Sequence, residues 1–185
     1  VYFQSFSLFS SMQLGQISRE AILKIRSAHR DDHEQLERLV AQFRVELGML
    51  HGHAQEPDLK AAAQEIAEYE ASGFMITVAE ESECRLVGYL VCRVNDGIVW
   101  AESLYVAPEF RRRGIASVLY AEAEKLADKI GCDTVYNWVH PNNDRIIAFL
   151  RKRGYGVLNL IELCGIRPGT NLTKKIRVGE HEFDY

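Results

Sequence analysis

No apolar run in the chain reaches the ~18 to 20 residues that a membrane-spanning helix requires, which by length argues against a spanning helix, and no membrane partner is expected. Cysteine is sparse and scattered: Cys84, Cys92, Cys132 and Cys164 are the four present. With no CxxC pair and no histidine at metal-ligand spacing, they read as reduced thiols of a cytoplasmic protein, with no metal site. Basic charge is not in excess either. A formal net charge of -4 and a pI near 5.9 exclude a broad nucleic-acid surface. Internal repeats, linkers and low-complexity segments are absent.

What remains is a chain of 185 residues, 47% hydrophobic, long enough for one domain with a full core. Tyr2-Phe3-Gln4-Ser5 looks like the remnant of a cleavable expression tag, and the stretch to Ser11 lacks the pattern of a signal peptide. Residues 1–11 are therefore set aside as a leader, with Met12 as the expected native start and 12–185 as a single domain.

The densest pattern runs from Ile98 to Ile130. An apolar strand (Ile98, Val99, Trp100, then Leu104, Tyr105, Val106) leads through Ala107-Pro108 to the triplet Arg111-Arg112-Arg113 and then Gly114-Ile115-Ala116. A helix-period run follows, with Ile115, Leu119, Ala123, Leu126 and Ile130 on one side. A strand that delivers a glycine-bearing loop to a helix start is an anion site, because unpaired N–H groups and the helix dipole both favour negative charge. The pattern predicts a phosphate-bearing cofactor. No Gly-Lys-Ser/Thr follows, so a Walker loop is excluded; the loop lies late in the chain and lacks G-x-G-x-x-G, which disfavours a dinucleotide fold.

Around this stretch the chain reads in order as follows. Ala21–Ser27 is a weak first strand. Asp31 or Asp32 caps a helix reaching about Leu47, and Pro57 opens a second helix that ends at Ser72-Gly73. His51-Gly52-His53 between them is a solvated turn. Phe74–Glu80 and Leu86–Val94 are strands, and Asn95-Asp96-Gly97 pairs the second antiparallel to the Ile98 strand. After Gly131, Thr134–Val139 is a strand parallel to Ile98–Val106, because it follows a helical crossover. Pro141 to Asp144 caps a short helix ending at Gly154. Tyr155–Leu163 and Leu172–Val178 are the last predicted strands. The result is a three-layer α/β domain with a mixed, largely antiparallel sheet.

The segment Leu104-Tyr105-Val106-Ala107-Pro108-Glu109-Phe110-Arg111-Arg112-Arg113-Gly114-Ile115-Ala116 resembles the acyl-CoA signature R/Q-x-x-G-x-G/A of the GCN5-related N-acetyltransferase (GNAT) family. Element order follows that family from Ala21 to Ile161, and the match is close from Leu104 to Tyr155. The resemblance implies a central parallel strand pair that splays apart, helices on both sheet faces, and acetyl-CoA (coenzyme A) as cofactor. It implies that the backbone of Leu104, Tyr105 and Val106 pairs with the pantetheine arm. Arg111, Arg112, Arg113, Gly114, Ile115 and Ala116 would hold the pyrophosphate, and Asn143 would border the arm. The implied activity is N-acetyl transfer to a primary amine by direct attack in a ternary complex.

The family pattern breaks at two positions. Leu150 stands where members often carry a tyrosine acid, and Trp138 where some carry a carboxylate. Glu102, two residues before Leu104 and expected on the same strand face, is the candidate base. His140 is a second candidate; Tyr105, Tyr136 and Tyr155 are available phenols, with core packing the default. Cys92 and Cys132 read as core or helix-end residues. The region of the first two helices is acid-rich, from Asp31 to Glu70, so a cationic amine is one acceptor class and solvated helix faces are the alternative. A homodimer is compatible with this reading. A non-catalytic acyl-CoA sensor is the rival class, motivated by Leu150 and Trp138, and a nucleic-acid role for the arginine triplet is the third.

Overall fold

The computed structural model describes residues 23–81, 84–165, 172 and 174–185. The start of the first predicted strand (Ala21, Ile22), the expected leader and the Arg167–Asn171 loop lie outside the described residues. The chain divides into two compact units, with the break between Asn143 and Asp144. No helix among the described residues is long and apolar enough to cross a membrane.

The first unit holds strands β1 (Lys24–Ser27), β2 (Met75–Glu81), β3 (Arg85–Asn95), β4 (Ile98–Val106) and β5 (Val135–Asn137), and helices α1 (His33–Leu50), α2 (Leu59–Ala71) and α3 (Ile115–Ile130). The strands form one sheet in sequence order, antiparallel except for the parallel β4–β5 pair. The β3–β4 hairpin forms as its sequence predicts, since Asp96 and Gly97 both take the positive φ of a two-residue turn. That turn sets Arg93 opposite Trp100 and Val94 opposite Val99.

Both sheet faces are covered. Phe43 of α1 packs edge-on against Tyr89 and tilted against Tyr105. A side chain at the neighbouring Gly88 would meet Leu119 of α3 at 3.3 Å and the Tyr105 carbonyl at 2.7 Å. Successive strand residues face opposite sides, so α1 and α3 lie on opposite faces, and Gly88 is glycine because backbone and helix leave no room. Leu36, Val40, Val78, Val87, Leu90 and Leu119 are fully enclosed in this core. At its edge Arg26 binds Asp32 (2.6 Å) and Glu80 (2.5 Å), tying β1 and β2 to the turn that opens α1.

Two irregularities mark the region of the candidate site. Val91 pairs with Ser103 and Cys92 with Ala101, so Glu102 is the extra residue of a β-bulge. The β4–β5 ladder runs only from Val99/Val135 to Ala101/Asn137. Beyond it β4 continues to Val106 with one edge unpaired among the described residues. Asn137, the last paired residue, is hydrogen-bonded to the Tyr120 hydroxyl of α3 (3.0 and 2.8 Å), which holds β5 where the two strands part.

The second unit holds α4 (Asp144–Lys152) and the hairpin β6 (Lys175–Val178) with β7 (His181–Asp184). Here the sequence reading is corrected twice. Tyr155–Leu163 forms no strand; its β-prone side chains find no ladder partner among the described residues, and propensity without pairing does not make a strand. The final hairpin uses His181–Asp184, a polar run without the alternation that would have revealed it.

Candidate functional site

At the end of β4 the chain makes a tight turn, Pro108–Phe110, anchored by the buried Phe110 ring. Arg112 and Gly114 then both adopt positive φ (65° and 83°) before α3 begins. Among the described residues, no acceptor receives the backbone N–H groups of Arg112, Arg113, Gly114, Ile115 and Ala116; the first helical bonds run from Ser117 and Val118 to the Gly114 carbonyl. Left-handed residues alternating with ordinary ones turn successive N–H groups toward one point, a concave anion receptor at the positive end of a 16-residue helix. Space beside Gly114 is open, with nothing within 4 Å of where a Cβ would stand. The donor set fits phosphate.

The three arginines separate in role. Arg111 is turned back into the protein: its Nε donates to the Val106 carbonyl (2.8 Å), its Nη2 to Glu46 of α1 (2.6 Å), and its guanidinium lies 5.2 Å over the Tyr105 ring. The Tyr105 hydroxyl donates to the same Glu46 oxygen (3.0 Å). Burial, then the Glu46 charge, pushes the Tyr105 phenol well above its ordinary range, so it serves the α1–β4 join as a neutral donor. Arg113 donates to the Glu109 carbonyl (3.1 Å) and stacks on Phe110. Arg112 is exposed, with no side-chain partner among the described residues, and is the triplet's free cation at the receptor.

Leu104, Tyr105 and Val106 form an edge of β4 that is unpaired by any strand among the described residues, adjoining the N–H cluster through five residues of turn. Glu102 lies at the other end of that edge. Its carboxylate is 2.6 Å from Arg93 Nε. The sequence reading put Glu102 on the face of Leu104, and the bulge corrects this. Leu104 pairs with Leu90, whereas the Arg93 that Glu102 meets has the parity of Tyr89 and Val91. Arg93 in turn lies 5.5 Å over Trp100 and 5.6 Å over Trp138, whose rings meet edge-on at 5.3 Å. Tyr136 packs on Trp100 at 5.2 Å. Sequence reasoning singled out neither Arg93 nor Trp100 for this site. Counting back from the Asp96-Gly97 turn would have paired them.

The remaining candidates fall elsewhere. The His140 ring accepts from the Asn142 N–H at Nδ1 (3.1 Å) and lies 4.2 Å from the His51 ring, while Asn142 donates to the Leu50 carbonyl (3.0 Å). These contacts tie the segment after β5 to the end of α1. Asn143 donates its N–H to the His140 carbonyl (2.8 Å) at the last position of the first unit. Tyr155 and the buried Leu150 belong to the second unit. Burial and the nearby Glu102 charge push the Cys92 thiol up to about 12, which makes it inert. Much of the acid-rich region is already committed: Asp32 to Arg26, Glu34 to Arg38, Glu46 to Arg111, Glu65 to Arg44 and Glu70 to His33.

A model described as the acetyltransferase (GNAT) family matches residues 34–155. The chain belongs to the GNAT family. Among relatives, this GNAT chain is 33% identical to an acetyltransferase of Pectobacterium atrosepticum, over 40% of its own length and 62% of the relative's. The chain thus spans less than two thirds of that protein. Among solved structures, the GNAT fold here is similar to an aminoglycoside N-acetyltransferase AAC(6')-Iy in complex with CoA, with TM-score 0.63, 18% identity, and coverage of 82% of this chain and 99% of that one. It is also similar to the PaiA N-acetyltransferase of Thermoplasma acidophilum in complex with coenzyme A, with TM-score 0.59, 20% identity, and coverage of 71% and 88%.

Proposed function

We propose that this GNAT chain binds acetyl-CoA along the free edge of β4 and transfers its acetyl group to a primary amine by direct attack in a ternary complex. The observation that carries the reading is the run of unpartnered N–H groups from Arg112 to Ala116 beside the unpaired strand edge Leu104–Val106. The first answers a pyrophosphate; the second offers backbone partners to the amides of a pantetheine arm, which need them once buried. Arg112 adds a charge-assisted donor. Acetyl-CoA supplies the activated acyl thioester.

The chain's own groups then manage the amine. An alkylammonium with a pKa near 10.4 must lose a proton before it can attack. Glu102, at the end of the free edge, is the carboxylate positioned to take that proton directly or through one water. The nitrogen forms its bond to the acyl carbon as the C–S bond breaks, and the second proton passes through water to the departing sulfur. N–H groups of the free β4 edge are the donors available to the acyl oxygen. Leu150 and Tyr105 supply no acid, and none is required when water protonates the thiolate.

The rival reading, a non-catalytic acyl-CoA sensor, draws on the ion pair between Glu102 and Arg93, which competes with proton uptake. Calorimetric titration with acetyl-CoA and thiol release across a panel of amines separate the two. Binding with turnover supports the transferase; binding without turnover on any amine supports the sensor; no binding overturns both.

A further inference from the structure

The Arg93–Glu102 pair is unusual in what it leaves undone. Arg93 Nε lies 2.6 Å from the Glu102 oxygen, yet its buried N–H makes no hydrogen bond, because the oxygen stands off the N–H direction. The Nη groups have no acceptor among the described residues and are not buried, so they face solvent. Both indoles lie to one side of the guanidinium, 5.5 and 5.6 Å from it and 5.3 Å from each other, and its Nη edge remains the direction of approach. Trp138 is itself 66% exposed, so the cluster is open to a ligand. A buried donor without a hydrogen bond, such as this Nε, calls for a physical cause.

We propose that Arg93, Glu102, Trp100 and Trp138 form the acceptor subsite, and that it takes an amine carrying its own carboxylate, a zwitterionic amino acid. The pair is net neutral, so a lone cation or a lone anion meets attraction and repulsion of similar size and gains little for its desolvation. A zwitterion answers both members at once. Its carboxylate receives the free guanidinium edge as a bidentate partner, and its ammonium faces the Glu102 carboxylate. In an α-amino acid the two charged groups are roughly 3 Å apart by covalent geometry, comparable with the spacing of the protein pair. The indole walls lower the local dielectric and strengthen both contacts, and the outer face of Trp138 receives an apolar side chain. The same placement sets the amino group against the proton acceptor of the proposed transfer. Arg93 is thus the specificity-determining residue; the inference deepens the acetyl-transfer reading and rests on it for its link to catalysis.

The test uses a built-in probe, because the chain contains two tryptophans and both belong to this subsite. Tryptophan fluorescence of the full chain, saturated with acetyl-CoA, is titrated with phenylalanine and with its decarboxylated counterpart phenethylamine; alanine and ethylamine form a second pair. The expected result is saturable quenching with at least tenfold tighter binding of each amino acid than of its amine, and the same order in kcat/KM for thiol release. Arg93→Gln is expected to abolish or reverse the preference, raising KM for the amino acid while the amine, no longer opposed by the guanidinium, loses nothing in KM, and Arg93→Lys to restore part of the preference. Equal or tighter binding of the amines overturns the proposal, as does an Arg93→Gln loss shared equally by both series. Turnover with no carboxylate preference overturns this inference and leaves the transferase reading standing. Carboxylate-selective quenching with no turnover upholds the subsite and overturns the transferase reading. If Arg93→Gln fails to bind acetyl-CoA and so has not folded, the comparison on the parent chain still decides the matter.

Discussion

Three arginines in a row carry two different kinds of work. Arg112 has positive φ and no side-chain partner among the described residues, so Arg112→Ala would remove the proposed phosphate contact and nothing of the described fold. Acetyl-CoA affinity is expected to fall about tenfold with unchanged melting temperature, and the salt dependence of binding to weaken. Arg111 lies at the centre of contacts to Val106, Glu46 and Tyr105. Arg111→Ala is expected to cost about 2 kcal/mol of stability in chemical denaturation, because it strands a carboxylate and a carbonyl. At the far edge of the core, hydrogen bonds from Arg26 hold the Asp32 carboxyl below its usual range. Its folded pKa lies below its unfolded one, so its contribution is full above about pH 4 and is lost as pH falls through the folded value. Asp32→Asn should lower stability at pH 7 and flatten the acid limb of the pH–stability curve; an unaltered acid limb would refute the linkage.

Elements carry the next level of constraint. The β3–β4 hairpin is the rigid centre, and Gly88 is where it touches both Tyr105 and α3. Gly88→Ala is expected to destabilise by about 1 to 3 kcal/mol through backbone displacement, measured by thermal melting. Gly114 differs in kind. Its surroundings are open, so Gly114→Val strains a positive-φ position and fills the space a phosphate would take, and acetyl-CoA binding should fall well before stability does. The hairpin, α3 and the positive-φ turn before it were legible because each rests on local chemistry: a two-residue turn, a 3.6-residue apolar period, a glycine at a helix start. The bulge at Glu102 was not legible, since an extra residue in one strand is set by the partner strand's register. That one residue moved Glu102 from the face of Leu104 to the neighbourhood of Arg93.

At the scale of the molecule, ligand binding and stability are one equilibrium. If the receptor and the free β4 edge hold acetyl-CoA, saturation at about 100 times Kd adds roughly 2.7 kcal/mol to the folded state. For a chain of this size that corresponds to a rise in Tm of about 5 to 10 °C, measurable by scanning fluorimetry, and Gly114→Val should abolish it. The amino-acid sequence by itself determined the order of elements through the α3–β5 crossover, the glycine turn that opens α3 and the resemblance to GNAT enzymes, because periodicity, turn chemistry and helix-end residues are written within a few residues of one another. Tertiary structure alone decided which arginine has no side-chain partner among the described residues, which face Glu102 serves, and that Trp100 and Trp138 converge on the Arg93 beside it. Those facts depend on register between strands and on ion pairs formed across the fold, and neither leaves a mark in the local order of residues.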